Sequence, residues 1–370
     1  MQKYTKNLDS DNVEFIGKLE YKDYRALYHI EKSGGDENKP IYYSYLVDDK
    51  KRINRKILKM ISLEDKDREY LNMVIDGIKS SSILTYEKEY VENRYLRYND
   101  IFLSKFNDQV VLCYVYDMIK GEDLFDWLCR FQYSSDYRNF NNFISLECLV
   151  NITYSIFTSL AILHLGGVIH RDIKLENIII ENPNLKEGYP KLKFIDFDYS
   201  CDHRCQELYS YPGTEMYMPI SIFIGRMENI KISPEEWKYC DIASASITIL
   251  RLYSRTNKKT WDMTEMEYSK EFSRDLERET IFRQKHLKNF EEREKDFIQT
   301  IIDCSCADIY KHITAVEINK YLESEYKDII SRELLDSYKK DLKRYNFIFT
   351  DNDIAQEEWN NLPSTPKIFN

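Results

Sequence analysis

The sequence predicts a mixed α+β fold in two unequal parts, a small strand-rich one followed by a larger, mainly helical one. Runs with strand character crowd the first third of the chain: Tyr24 to Ile30, Pro40 to Val47, Arg55 to Ile61 and Val110 to Tyr116. Beyond them Leu149, Ile152, Ile156, Leu160 and Leu163 recur at helical spacing and form the buried stripe of one long helix. Directly after that stripe, His170-Arg171-Asp172-Ile173-Lys174-Leu175-Glu176-Asn177 sets an acid, a cation and an amide at fixed offsets. About twenty residues later the strand-like run Lys193-Phe194-Ile195 ends in a second acid, Asp196. A hairpin joining the two segments brings two acids and an amide together, an oxygen set suited to a hard divalent cation and a polyphosphate.

Composition sets limits around that chemistry. With 370 residues, 43% of them hydrophobic, the chain fills two cores. It has no run of 18 or more apolar residues and its first stretch, Met1 to Asp11, is polar, so neither a membrane span nor a secretory leader is expected. Eight cysteines without framework spacing point to a reducing, cytoplasmic compartment. Cys201-Asp202-His203-Arg204-Cys205 is too compact for a usual zinc site and reads as free thiols in a loop. A net charge of −10 disfavours nucleic acid as a partner and favours basic protein substrates.

Asp172, Lys174, Asn177 and Asp196, in this order and spacing, resemble the protein kinase family. The resemblance implies a two-lobed protein-kinase-like fold. A β-rich lobe would span about 26–116, a hinge 117–121 and a helical lobe 122–325, with extensions at 1–25 and 326–370. It also implies ATP and Mg²⁺, or Mn²⁺ in its place. Asp172 would accept or orient the proton of the attacking hydroxyl, and Lys174 would stabilise charge on the transferred phosphoryl group. Asn177 and Asp196 would ligate the metal. Lysine two residues after the acid marks members that act on serine and threonine. Thr214, in Gly213-Thr214-Glu215-Met216-Tyr217-Met218, would hydrogen-bond towards Asp172 and Lys174. A serine/threonine protein kinase is therefore the leading expectation. Its rivals are a pseudokinase that keeps the fold as a scaffold and a small-molecule phosphotransferase; oligomeric state is not legible.

The same resemblance assigns the remaining positions. Lys59 would reach the nucleotide phosphates and pair with Glu89, chosen over Glu87. Gly34, with Asp36 and Lys39, would occupy the three glycine positions of a phosphate-covering loop, and Ile41 would follow it. Backbone groups of Asp117 and Ile119 would read the adenine edge beside Tyr116, and Asp123 would face the ribose. Asp241 matches a buried acid that holds the catalytic-loop backbone, and His164 is structural. Arg171 would pair with a phosphate in the activation segment, with Ser200, Tyr209 and Ser210 as candidates. Asp198 replaces a customary glycine, where it would stiffen the segment or add a carboxylate near the metal. Pro219-Ile220-Ser221 replaces a customary Ala-Pro-Glu, and His312 stands where that glutamate's arginine partner is usual. Residues 264–296 read as solvated helices, and the chain beyond Glu325 as extra helices or a regulatory segment.

Overall fold

The computed structural model describes residues 14–18, 27–30, 41–47, 53–63, 73, 74, 76, 77, 80, 94–96, 98–106, 109–133, 145–181, 191–202, 212–219, 222, 225, 228, 230–256, 292–305 and 312–349. The chain divides into two compact units, Met1–Asn72 with Leu96–Ile119, and Met73–Tyr95 with Lys120–Asn370. The segment 73–95 thus groups with the helical unit, although the sequence reading ran the smaller unit continuously to 116.

The first unit is one antiparallel sheet of six strands: β1 (Glu14–Lys18), β2 (Leu27–Ile30), β3 (Ile41–Val47), β4 (Ile53–Ser62), β5 (Tyr98–Phe106) and β6 (Gln109–Asp117). Their spatial order is β1-β2-β3-β4-β6-β5. β1 lies in the stretch read as an N-terminal extension. It joins the sheet as an edge strand whose register shifts between Phe15 and Gly17. β4 and β6 are each flanked by strands on both sides and are rich in the β-branched and aromatic residues that fit a pleated surface. Successive residues Leu58, Lys59, Met60 and Ile61 are all buried, as are Cys113, Tyr114 and Val115, so both faces of these strands are covered. Burial pushes the Cys113 thiol up to about 12, an inert core group.

In the second unit, β7 (Glu122–Asp123) leads into α1 (Leu124–Tyr133) and then α2 (Leu146–Leu165). Ser145 caps α2 by accepting the Cys148 N–H at 3.1 Å, and the Gly166 N–H closes its end on the Ile162 carbonyl at 3.0 Å. The predicted stripe is a fraction of what α2 buries: every residue from Leu149 to Leu163 is inside. Helix α2 is long and apolar enough to cross a bilayer, yet 83% of its most apolar window is buried within the protein. It is the core helix of this unit.

Short strands follow and position the site. β8 (Val168–Ile169) pairs with β11 (Cys201–Asp202), while β9 (Ile178–Ile180) pairs with β10 (Leu192–Phe194) and with β7. Gly121 allows the approach to β9, since a Cβ there would lie 2.3 Å from the Ile180 carbonyl oxygen. Helices α3 (Pro234–Thr256), α4 (Glu292–Cys304), α5 (Ala315–Glu325) and α6 (Arg332–Phe349) follow among the described residues. Ser233, with proline first and Glu236 third in the helix, builds a reciprocal cap for α3, and Thr314 with Glu317 does so for α5.

Candidate active site

The loop after β8 ends in a 3₁₀ turn, Leu175–Asn177, and its acid is held from four directions. Asp172 is 5% exposed. Its Oδ2 receives Lys174 Nζ and Asn177 Nδ2, both at 3.0 Å. Its Oδ1 receives the Thr214 N–H and the Thr214 hydroxyl, both at 3.1 Å. Lys174 Nζ also donates to Thr214 Oγ1 at 2.7 Å. Acid, lysine and threonine, 42 residues apart at their extremes, therefore form one closed cluster. Such charge-assisted bonds fix a carboxylate's position. A small recess opens beside it, lined by Arg171, Asp172, Gly213, Thr214, Tyr217 and Trp237 among others.

Asn177 and Asp196 stand at the same end of the β9–β10 hairpin. Phe194 is the register partner of Ile178, and the Ile195 N–H donates to the Asn177 carbonyl at 3.0 Å. Asn177 Nδ2 is committed to Asp172, at 2.8 Å to its carbonyl and 3.0 Å to its carboxylate, which leaves the amide oxygen as the atom able to ligate a cation. Asp196 has a left-handed backbone, φ 62°, a conformation non-glycine residues adopt only under local constraint. An amide oxygen and a carboxylate at one hairpin end fit a hard divalent cation that completes its shell with phosphate and water.

A sequence model described as a protein kinase domain matches residues 51–325. This chain belongs to the protein kinase family. It is similar to probable serine/threonine-protein kinase 2 of Plasmodium falciparum, 29% identical over 32% of this chain and 21% of that one. It is also similar to dual specificity protein kinase YAK1 of Saccharomyces cerevisiae, 27% identical over 42% of this chain and 17% of that one. Casein kinase I homolog 2 of the same yeast is 29% identical over 29% of this chain and 19% of its own. The matched stretches thus span about a fifth or less of those relatives' lengths.

Within the kinase domain, buried Asp241 on α3 suspends the loop that carries Asp172. Its Oδ2 accepts the His170 N–H at 2.7 Å and its Oδ1 the Arg171 N–H at 2.8 Å, while His164 Nε2 lies 3.1 Å from Oδ2. Arg171 has a neighbour that the sequence did not suggest. The arginine is 5% exposed, its backbone is left-handed at φ 68°, and its guanidinium stacks over Trp237 at 4.8 Å from the ring centroid. Cation–π contact with a buried indole holds this group in place, and the activation-segment residues 203–211, to which the expected phosphate pairing belongs, lie outside the described residues. Ser200, one of the phosphosite candidates, is 1% exposed, and its hydroxyl points at the His170 carbonyl, 3.4 Å away. Tyr209 and Ser210 lie outside the described residues.

Asp198 is buried, and the helical residue Gly77 packs on it. A Cβ at Gly77 would meet the Phe197 carbonyl at 2.4 Å and the Asp198 carbonyl at 2.7 Å. His312 does not take over a buried ion-pair position. It is exposed, with φ 42°, and its ring meets Tyr239 edge-on at 4.9 Å. Pro219 is buried, while Ile220 and Ser221 lie outside the described residues.

Of the expected nucleotide contacts, Lys59 is buried in β4, directly opposite Ile41 of β3 in the register. Gly34, Asp36, Lys39, Glu87 and Glu89 lie outside the described residues, as do 203–211 and most of 264–296. Asp117 ends β6, with its exposed carboxylate paired to Lys56 Nζ, and Ile119 follows half-buried. Asp123 has a role that sequence reading missed. Its Oδ1 accepts the Asp126 N–H at 2.8 Å and caps α1; an acid three residues before another amide at a helix start was the available signal.

Burial pushes the Asp123 carboxyl up to about 6; the cap bond opposes this, and the Asp126 and Glu176 carboxylates add to it. A carboxyl raised in the folded state adds stability below its unfolded value, near 3.8, and loses that contribution as pH rises through about 6. Asp123→Asn keeps an accepting oxygen for the cap and removes the buried charge. It should raise the melting temperature by a few degrees at about pH 7.5 and leave it unchanged near pH 4, as thermal unfolding at both values will read.

Proposed function

We propose that this chain is a serine/threonine protein kinase that transfers the γ-phosphate of ATP, with Mg²⁺ or Mn²⁺, to hydroxyls of protein substrates. The observation that carries the reading is the closed cluster of Asp172, Lys174 and Thr214. In it an acid lies where an incoming hydroxyl's proton can be taken, next to a cation that stabilises charge on the moving phosphoryl group. Lys174 Nζ lies 3.0 Å from the acid and 2.7 Å from Thr214 Oγ1, and so orients both.

Asn177 and Asp196 would hold the metal, which when bound neutralises phosphate charge and shapes the nucleotide for in-line attack. Lys59 would hold the phosphates. The chain's acidity supports basic segments as substrates, and its scattered thiols support a cytoplasmic setting.

Incubation with ATP radiolabelled at the γ position, divalent metal and a basic protein, followed by phosphoamino-acid analysis, tests this. Label on serine and threonine, lost by at least a thousandfold in Asp196→Ala, is the expected result. Equal label in that variant would remove the metal-site assignment, and label mainly on tyrosine would overturn the substrate class.

A further inference from the structure

Helix α6 begins at Arg332, beyond Glu325, the last residue matched to the kinase domain. Its inner face, Leu334, Leu335, Tyr338 and Leu342, is buried, and the Tyr338 ring meets Tyr154 of α2 edge-on at 5.7 Å. The turn leading into it is latched by Asn151, which donates to the Ile329 carbonyl at 2.9 Å and accepts the Ser331 N–H at 2.8 Å. This helix is part of the core.

The same helix carries a polar contact that reaches the site. Arg94 donates through Nε to Asp341 Oδ2 at 2.9 Å, and its Nη2 lies 2.8 Å from that oxygen and 3.1 Å from Ser337 Oγ. The two charged side chains are only 9% and 14% exposed, so their attraction is weakly screened and directional. Arg94 and Tyr95 in turn hold β10. The Phe194 N–H donates to the Arg94 carbonyl at 2.8 Å, and Tyr95 forms a β-bridge with Phe194. The Tyr95 hydroxyl is tied to the Ser159 carbonyl, and its ring meets Phe194 at 6.4 Å and Phe197 at 6.1 Å, both edge-on. Phe197 rests on the His170 ring at 4.8 Å. Asp196 is the residue immediately before Phe197.

We propose that Asp341, assisted by Ser337, is a positioning residue for the transfer site. By holding Arg94 it keeps Tyr95 against Phe194 and Phe197, and so fixes the backbone that presents Asp196. Its effect on turnover rests on the kinase reading above; its effect on the order of residues 194–200 does not. Asp341→Asn in the full chain removes the charge at nearly constant size and leaves the apolar face of α6 in place.

Without nucleotide, amide hydrogen exchange over residues 194–200 should quicken about tenfold in Asp341→Asn, with α2 unchanged. Turnover should fall about tenfold with KM for the protein substrate within twofold. The reversed pair, Arg94→Asp with Asp341→Arg, should restore both. Unchanged exchange over 194–200, or equal quickening throughout α2, overturns the proposal. Should the parent chain transfer no phosphate, the kinase reading falls alone, because the exchange result still decides whether Asp341 holds the segment.

Discussion

Asp172→Asn should lower kcat about a thousandfold while leaving KM for ATP within about twofold, a magnitude typical of losing a positioned proton acceptor. The wild-type carboxylate accepts at both oxygens, from Lys174 and Asn177 on one and from the two donors of Thr214 on the other. Asparagine offers one accepting oxygen and one donating nitrogen. Whichever way the amide turns, its nitrogen faces donors. With the oxygen towards Thr214, the amide nitrogen meets the Lys174 ammonium; with the oxygen towards Lys174, it meets the Thr214 N–H. On the proposed mechanism the variant therefore loses the proton acceptor and loosens the threonine and lysine that would orient the incoming hydroxyl. Both losses act on the acceptor side of the reaction, which is why the nucleotide's KM is expected to hold. Steady-state kinetics on the two proteins measure it, and a kcat within tenfold of the parent would remove Asp172 from the chemistry.

The site was legible in the sequence where chemistry dictates residue type. The roles proposed for Asp172, Lys174, Asn177 and Asp196 call for an acid, a cation, an amide and an acid, and the short β9–β10 hairpin needs only local pairing to collect Asn177 and Asp196. Thr214 and Asp241 were legible for a related reason, since each serves a donor or acceptor that the loop leaves over. What escaped was contact whose residue types carry no chemical demand. Trp237 reads as an ordinary buried aromatic, and nothing in its neighbourhood announces that it lies under Arg171. β1 is a five-residue strand whose partner comes nine residues later, too short and too irregular at Gly17 to stand out from a polar terminus. The apolar spacing of α6 was visible through Leu334, Leu335 and Tyr338, but its partner Arg94 lies 247 residues away from Asp341. Periodicity predicts that a face is buried; it does not predict against what.

Asp241→Ala should cost about 3–5 kcal/mol of folding stability, a large share of the roughly 5–15 kcal/mol typical of a domain. The side chain is 1% exposed and accepts the N–H groups of two consecutive residues, His170 and Arg171, at 2.7 and 2.8 Å. Alanine removes the acceptor of both buried donors, at about 1–3 kcal/mol each. The second donor matters further, because Arg171 holds φ 68° and a bulky residue keeps that conformation only while its surroundings enforce it. Without the anchor the backbone before Asp172 relaxes towards ordinary angles and withdraws the acid from Thr214, so turnover should fall with stability. Asp241→Asn separates the two effects: it still accepts one of the two N–H groups, and should retain about half of the stability. Urea unfolding of the three proteins at matched m-values measures the series. Equal midpoints for alanine, asparagine and the parent would mean that the loop's shape comes from the Arg171–Trp237 stack and the short β8–β11 pairing, with Asp241 incidental.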